Sequence, residues 1–129
     1  MARILVVEAD RLYRDLVRSH LTSVGHLALG AADAAEALEL TAELEFHLVI
    51  VDADMPCMDG LELARALRGR VKTCSVPIIL FTARRDPAAW REATRLGIRQ
   101  YSVKPGRCET LEREVTFALQ AEPSEEEAG

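Results

Sequence analysis

At 129 residues, 49% of them hydrophobic, and with a formal charge of −5, the chain has the length and composition of one domain with a substantial core. Four of the acids, Glu122, Glu125, Glu126 and Glu127, sit together at the end; the body is therefore nearly neutral and has no Lys/Arg cluster beside an aromatic platform, which argues against direct nucleic-acid binding. Cys57, Cys74 and Cys108 are odd in number, with neither Cys-x-x-Cys spacing nor a partnering histidine, and no apolar run has the length of a membrane span. Disulfide frameworks, zinc sites and membrane insertion are thereby disfavoured and a reducing, cytoplasmic location is expected, all the more because Glu8 follows the amino terminus too soon for a signal peptide.

The elements follow in chain order. Arg3–Val7 predicts a first strand that delivers Glu8 at its end, and Asp10 is a good cap for a helix with Leu12, Leu16, Val17 and Leu21 on its inner face, ending at Gly25. Ala28–Ala31 predicts a second strand, after which Asp33 caps a helix carrying Ala37, Leu38, Thr41 and Leu44. The apolar run Leu48–Val51 predicts a buried strand ending in Asp52, and Gly60, after Asp59, opens a third helix with Leu61, Leu63, Ala64 and Leu67. Ile78–Phe81 leads into Thr82; Asp86-Pro87, a cap followed by proline at the first helical position, opens a fourth helix that Gly97 closes. Arg99–Val103 leads into Lys104, Leu111, Val115, Ala118 and Leu119 mark a fifth helix, and residues 121–129 read as an acidic disordered tail beyond a single domain at 1–120.

Five strand-helix units predict an α/β fold, a doubly wound parallel sheet with helices on both faces, since right-handed crossovers leave few other topologies. Ligands in such sheets bind at the carboxyl ends of the strands, where Glu8, Asp52, Thr82 and Lys104 all fall. A carboxylate there can accept a phosphoryl group, provided cations offset the charge. Lys104 supplies one cation and a magnesium ion would supply another, with Glu8, Asp52 and the Asp54 backbone carbonyl as oxygen ligands and Thr82 as a hydrogen-bond donor to the phosphoryl group.

The segments Ile4-Leu-Val-Val-Glu8, Val49-Ile-Val-Asp52 with Met55-Pro56-x-x-Asp59-Gly60, Leu80-Phe-Thr82-Ala83 and Tyr101-Ser-Val-Lys104-Pro105, in this order, resemble the receiver domain of bacterial two-component response regulators, of the chemotaxis-regulator type. The resemblance implies a flavodoxin-like five-stranded sheet of order 2-1-3-4-5 with five helices. It implies Asp52 as phosphoacceptor, Thr82 and Tyr101 as a switch pair, Lys104 as the phosphate-binding cation and a cis peptide at Lys104-Pro105. Receivers usually carry two adjacent acids after the first strand, the second a direct magnesium ligand, whereas this chain reads Glu8-Ala9. Loss of a supporting partner costs about 10–100-fold in metal affinity, and loss of a ligand at least that, so magnesium binding is expected to be weakened. Asp54 is the substitute ligand its position favours, although Arg84 could tie it up in an ion pair. Gly106 is a smaller departure from the family pattern.

Trp90 has Ala93 and Leu96 as helical neighbours, which suggests a core face, while the resemblance places it outside, beside Tyr101, as an anchor for a docking partner. Arg84, Arg85, Arg91, Arg95 and Arg99 form either a solvated face or a surface for an acidic partner. His20, His26 and His47 have no metal spacing and read as surface or strand-edge residues.

The leading functional expectation is a signalling switch, phosphorylated on Asp52 by a sensor histidine kinase or phosphotransfer protein, with a downstream partner, or a second copy in a homodimer, at the face of the fourth helix, fifth strand and fifth helix. It is no enzyme beyond accepting and losing its own phosphoryl group. The alternative is a phosphorylation-independent pseudo-receiver that serves as an interaction module, for which Ala9 speaks and the retained Asp52, Thr82 and Lys104 speak against. Asp52-Ala-Asp54 also has the Asp-x-Asp spacing of haloacid-dehalogenase-like phosphohydrolases, but that family needs it on an early strand and needs further acids after the lysine. Flavin binding lacks its hydroxyl- and glycine-rich loop.

Overall fold

The computed structural model describes residues 1–55, 58–83, 86–104 and 108–120. The expected tail at 121–129, the Lys104-Pro105 peptide bond, and Arg84, Arg85 and Gly106 lie outside the described residues. The elements run β1 (Arg3–Val7), α1 (Arg11–Ser23), β2 (Leu27–Ala31), α2 (Ala34–Glu43), β3 (Leu48–Asp52), α3 (Gly60–Arg68), β4 (Ile78–Thr82), α4 (Pro87–Arg95), β5 (Gln100–Val103) and α5 (Cys108–Gln120). All strands are parallel, as expected from the alternation of strands and helices, and they lie in the order β2-β1-β3-β4-β5 that the family resemblance implied.

The side-chain alternation of each strand divides the core in two. Leu5, Val7, Val49, Val51, Ile78, Leu80 and Tyr101 pack with Ala37 of α2, Leu63 and Leu67 of α3 and Ala93 of α4. On the opposite face Ile4, Val6, Leu48, Ile50, Ile79 and Phe81 meet Val17 and Leu21 of α1 and Leu111, Val115 and Ala118 of α5. Every residue of β3 and β4 is buried, which is why these strands read as unbroken apolar runs. Each fully buried leucine or isoleucine contributes about 1.5–3 kcal/mol against exposure, so the central strands are the most constrained part of the chain. Among the described residues no helix is long and apolar enough to cross a membrane.

The caps behave as their chemistry dictates. Asp10, Asp33, Asp59 and Asp86 each accept a backbone N–H from the first turn that follows, and Asp59 with Glu62 completes a reciprocal capping box. Gly97, with φ at +75°, stops α4 in the left-handed conformation a side chain would resist. At the end of α3, the half-buried guanidinium of Arg68 donates to the carbonyls of Leu96 at 2.6 Å, Val76 at 2.7 Å and Thr73 at 3.4 Å. His26 and His47 take backbone N–H bonds from Ala2 and Arg3 at the opposite rim from the strand ends that carry Asp52 and Thr82.

Two expectations need correction. Leu12 and Leu16 do not face inward; they are 81% and 56% exposed, and the buried row of α1 is Val17 and Leu21, with Tyr13 partly buried. The reason lies on the neighbouring strand, where Gly30 leaves a gap that the stems of Arg14 and Arg18 fill, rotating the leucines outward. The strands also extend further than their apolar runs, since Asp52 and Thr82 remain in the ladder, opposite Phe81 and Val103 respectively.

Candidate functional site

Parallel pairing brings the ends of β1, β3, β4 and β5 to one rim, and with them Glu8, Asp52, Thr82 and Lys104. Asp52 is buried because both faces of β3 are covered; its Oδ1 accepts the Asp54 N–H at 3.0 Å and its Oδ2 lies 3.4 Å from Lys104 Nζ. The Lys104 backbone N–H donates to the Thr82 carbonyl at 2.9 Å, which fixes where its side chain starts. Its ammonium sits 4.9 Å from the centre of the Tyr13 ring and 2.8 Å from Glu8 Oε1. Glu8 is buried too, and its Oε2 accepts the Asp10 N–H at 2.9 Å. One lysine thus bridges two buried carboxylates.

The electrostatics of this bridge oppose one another. Burial pushes the Glu8 carboxyl up from its ordinary value, outweighing the hydrogen bonds from Lys104 and Asp10 that pull it down. For Lys104, burial pulls downward, but the hydrogen bond with Glu8 and the charges of Asp52 and Glu8 together hold the ammonium above the ordinary lysine value.

Asp54 lies in the loop after β3, exposed, and its carboxylate reaches across to the end of β4. Thr82 Oγ1 donates to Asp54 Oδ2 at 3.0 Å, with Oδ1 at 3.3 Å, and the Ala83 N–H donates to Oδ2 at 2.7 Å. Beneath this loop, Gly60 admits the first turn of α3 against the backbone: a Cβ there would stand 2.7 Å from both Asp52 O and Ala53 Cα.

This donor set does not fit a magnesium ion. The Ala9 side chain offers no ligand atom, both Glu8 carboxylate oxygens have partners, and the Asp54 side chain, expected as a substitute ligand, is turned onto Thr82 and Ala83 instead. Among the described residues no group of three or more His, Cys, Asp or Glu is arranged to hold a metal. The three acids Glu8, Asp52 and Asp54 share a rim without forming a common shell, because the lysine and the Thr82–Ala83 donors draw two of them in different directions.

Tyr101 is buried beneath α4 and stacks on Trp90, with ring centroids 5.7 Å apart and planes inclined at 28°. Trp90 remains 43% exposed, so it presents one face to Tyr101 and another to solvent instead of entering the core. Three contributors escaped the sequence reading. Tyr13 underlies Lys104, the Asp10 N–H holds Glu8, and the Ala83 N–H binds Asp54. Only Tyr13 carried a usable signal, an aromatic residue in the first turn after the Asp10 cap; the other two are main-chain groups that any residue supplies.

The response regulator receiver domain family matches residues 4–116. PetR of Rhodobacter capsulatus is 35% identical over 126 residues, which cover 98% of this chain and 52% of PetR, so the chain spans about half the length of that relative. The solved structure of chemotaxis protein CheY4 of Vibrio cholerae superposes with a TM-score of 0.88 at 31% identity, covering 92% of this chain and 99% of CheY4. The response regulator TrrA of Thermotoga maritima, in complex with Mg(2+)-BeF, gives a TM-score of 0.81 at 31% identity over 92% of this chain and 100% of TrrA. From its first strand into its fifth helix, then, the chain belongs to the response regulator receiver domains of two-component systems.

Proposed function

We propose that this receiver accepts a phosphoryl group on Asp52 from the phosphohistidine of a histidine kinase or phosphotransfer protein, and that the face formed by α4, β5 and α5 passes the change to a downstream partner. Family members work with such donors and partners. The observation that carries the reading is the Lys104 ammonium, 3.4 Å from Asp52 Oδ2 in a buried setting, where a fixed cation offsets charge more effectively than in water. An Asp52 oxygen attacks phosphorus, the bond to the donor imidazole breaks, and the added charge falls between Lys104 and the donors at the end of β4. Trp90, stacked on Tyr101 and half open to solvent, is the anchor for the partner.

No step is routed through magnesium, which would need Lys104 or the Asp10 amide to release a Glu8 oxygen. Ala9 and the engaged Asp54 side chain favour the second reading, a pseudo-receiver that works without phosphate. Incubation with a small-molecule phosphodonor, followed by intact-mass measurement, decides between them. The expected result is one acyl phosphate that Asp52→Asn abolishes; an unmodified chain at high donor and magnesium would leave the pseudo-receiver.

A further inference from the structure

We propose that the Asp54 carboxylate is a built-in occupant of the phosphoryl seat, a tethered anion that an incoming phosphoryl group must displace. The inference rests on Asp52 as the phosphoacceptor.

The position of the donors is what identifies the seat. Thr82 closes the strand between Asp52 on β3 and Lys104 after β5, with Asp52 opposite Phe81 in the ladder and the Lys104 N–H on the Thr82 carbonyl. The Thr82 hydroxyl and the Ala83 N–H therefore sit at the rim between the acceptor carboxylate and the cation. A phosphoryl group on Asp52 carries oxygens that need donors, and these are the neutral donors on the strand next to the acceptor. Both are turned onto one oxygen, Asp54 Oδ2, at 3.0 and 2.7 Å. A carboxylate oxygen and a phosphoryl oxygen ask for the same thing, N–H and O–H donors that converge on negative charge, so the two compete for one place.

The tether makes the competition effective. Asp54 follows Asp52 by two residues, and its own N–H donates to Asp52 Oδ1 at 3.0 Å, which holds the Asp54 backbone beside the acceptor. Its carboxylate is thus present at high effective concentration, yet it is exposed and can swing into solvent when displaced. Two consequences follow. The unmodified protein already draws Thr82 onto an anion, so the response to phosphorylation starts from a partly engaged state. The acceptor also binds its phosphoryl group more weakly than the retained Asp52, Thr82 and Lys104 alone would allow.

The test compares the native chain with Asp54→Ala and Asp54→Asn, reading the Ala83 amide by nuclear magnetic resonance and the affinity for beryllofluoride in excess magnesium, with Asp52→Asn as a control for binding at the acceptor. In the unliganded native protein the Ala83 amide proton is expected far downfield, from its 2.7 Å bond to a carboxylate, and in Asp54→Ala that shift disappears. Beryllofluoride is expected to bind Asp54→Ala about tenfold more tightly than the native chain, the loss of one modest competing contact. An Ala83 amide that ignores Asp54→Ala overturns the occupied seat. A changed amide with equal or weaker beryllofluoride affinity overturns the competition. If the magnesium-poor rim lets no variant bind beryllofluoride, the same comparison is read from acyl-phosphate yield with a small-molecule phosphodonor: a higher yield in Asp54→Ala supports the competition, an equal or lower one overturns it, and no acyl phosphate in any variant overturns Asp52 as phosphoacceptor and leaves Asp54 in its seat.

Discussion

Replacing Lys104 by methionine tests the bridge between the two buried acids. The side chains of Glu8 and Asp52 are 5% and 7% exposed, and that of Lys104 is 28% exposed. Breaking a fully buried pair costs about 3–5 kcal/mol, while exposed pairs contribute about 0.2–1 kcal/mol. A lysine that is mostly but not wholly covered belongs between these limits. Methionine keeps an apolar stem of similar length and removes the ammonium, with its contact to the Tyr13 ring, so Lys104→Met is expected to lose about 2–3 kcal/mol at pH 7, read as a lower urea midpoint at unchanged slope. The deficit has a pH signature. Glu8 already titrates above its ordinary 4.5, first because it is buried, and without the ammonium that opposes burial it rises further. A carboxyl whose folded pKa lies above its unfolded one contributes its full share of stability below the unfolded value and loses it as pH climbs through the folded value. The deficit of Lys104→Met must therefore shrink as pH is lowered from 7 towards 4.5, where Glu8 takes up a proton. A deficit equal at both ends of that range, or below about 1 kcal/mol at pH 7, would show that Lys104 behaves as an ordinary solvated lysine and would remove the bridge from the account.

Two other substitutions probe the neighbourhood of Asp52. Gly60→Ala should destabilise the protein by about 1–3 kcal/mol although alanine is the better helix former, because the new Cβ meets two backbone atoms at 2.7 Å and Leu80 Cδ1 at 3.0 Å; equal or higher stability in urea would mean that α3 slides freely past the Asp52 loop. Ala9→Asp adds the acid the rim lacks and is expected to tighten magnesium binding at least about tenfold by titration calorimetry, while an unchanged affinity would show that Ala9 is not what limits the ion.

Much of this architecture was legible in the sequence because its signals were local. Apolar runs marked the strands, and four aspartates marked helix starts, each accepting a backbone N–H from the first turn. The helix face of α1 was misjudged because the deciding residue, Gly30, lies on another strand and lets arginine stems take the place that the leucine pattern claimed. The four rim residues were found from strand ends alone, since a parallel sheet puts all its carboxyl ends together. What could not be read was direction. The sequence offers Asp54 to a metal or to Arg84, and only the three-dimensional position of the β4 donors shows that its carboxylate lies on Thr82 and Ala83. Trp90 carried both a buried and an exposed reading for a similar reason, and the stacking on Tyr101 satisfies part of each.

Arg68 gives the molecule a fulcrum. Its guanidinium holds the Leu96 carbonyl, at the carboxyl end of α4, to the end of α3 and to the loop that enters β4. The other end of α4 follows the strand that carries Thr82. A helix clamped at one end and pushed at the other works as a lever, and Trp90 stands six residues from the clamp, roughly 9 Å along the axis. A tilt of α4 about that clamp carries Trp90 roughly two-thirds as far as Pro87 at the start of the helix, so the tryptophan swings with the free end while Leu96 stays held.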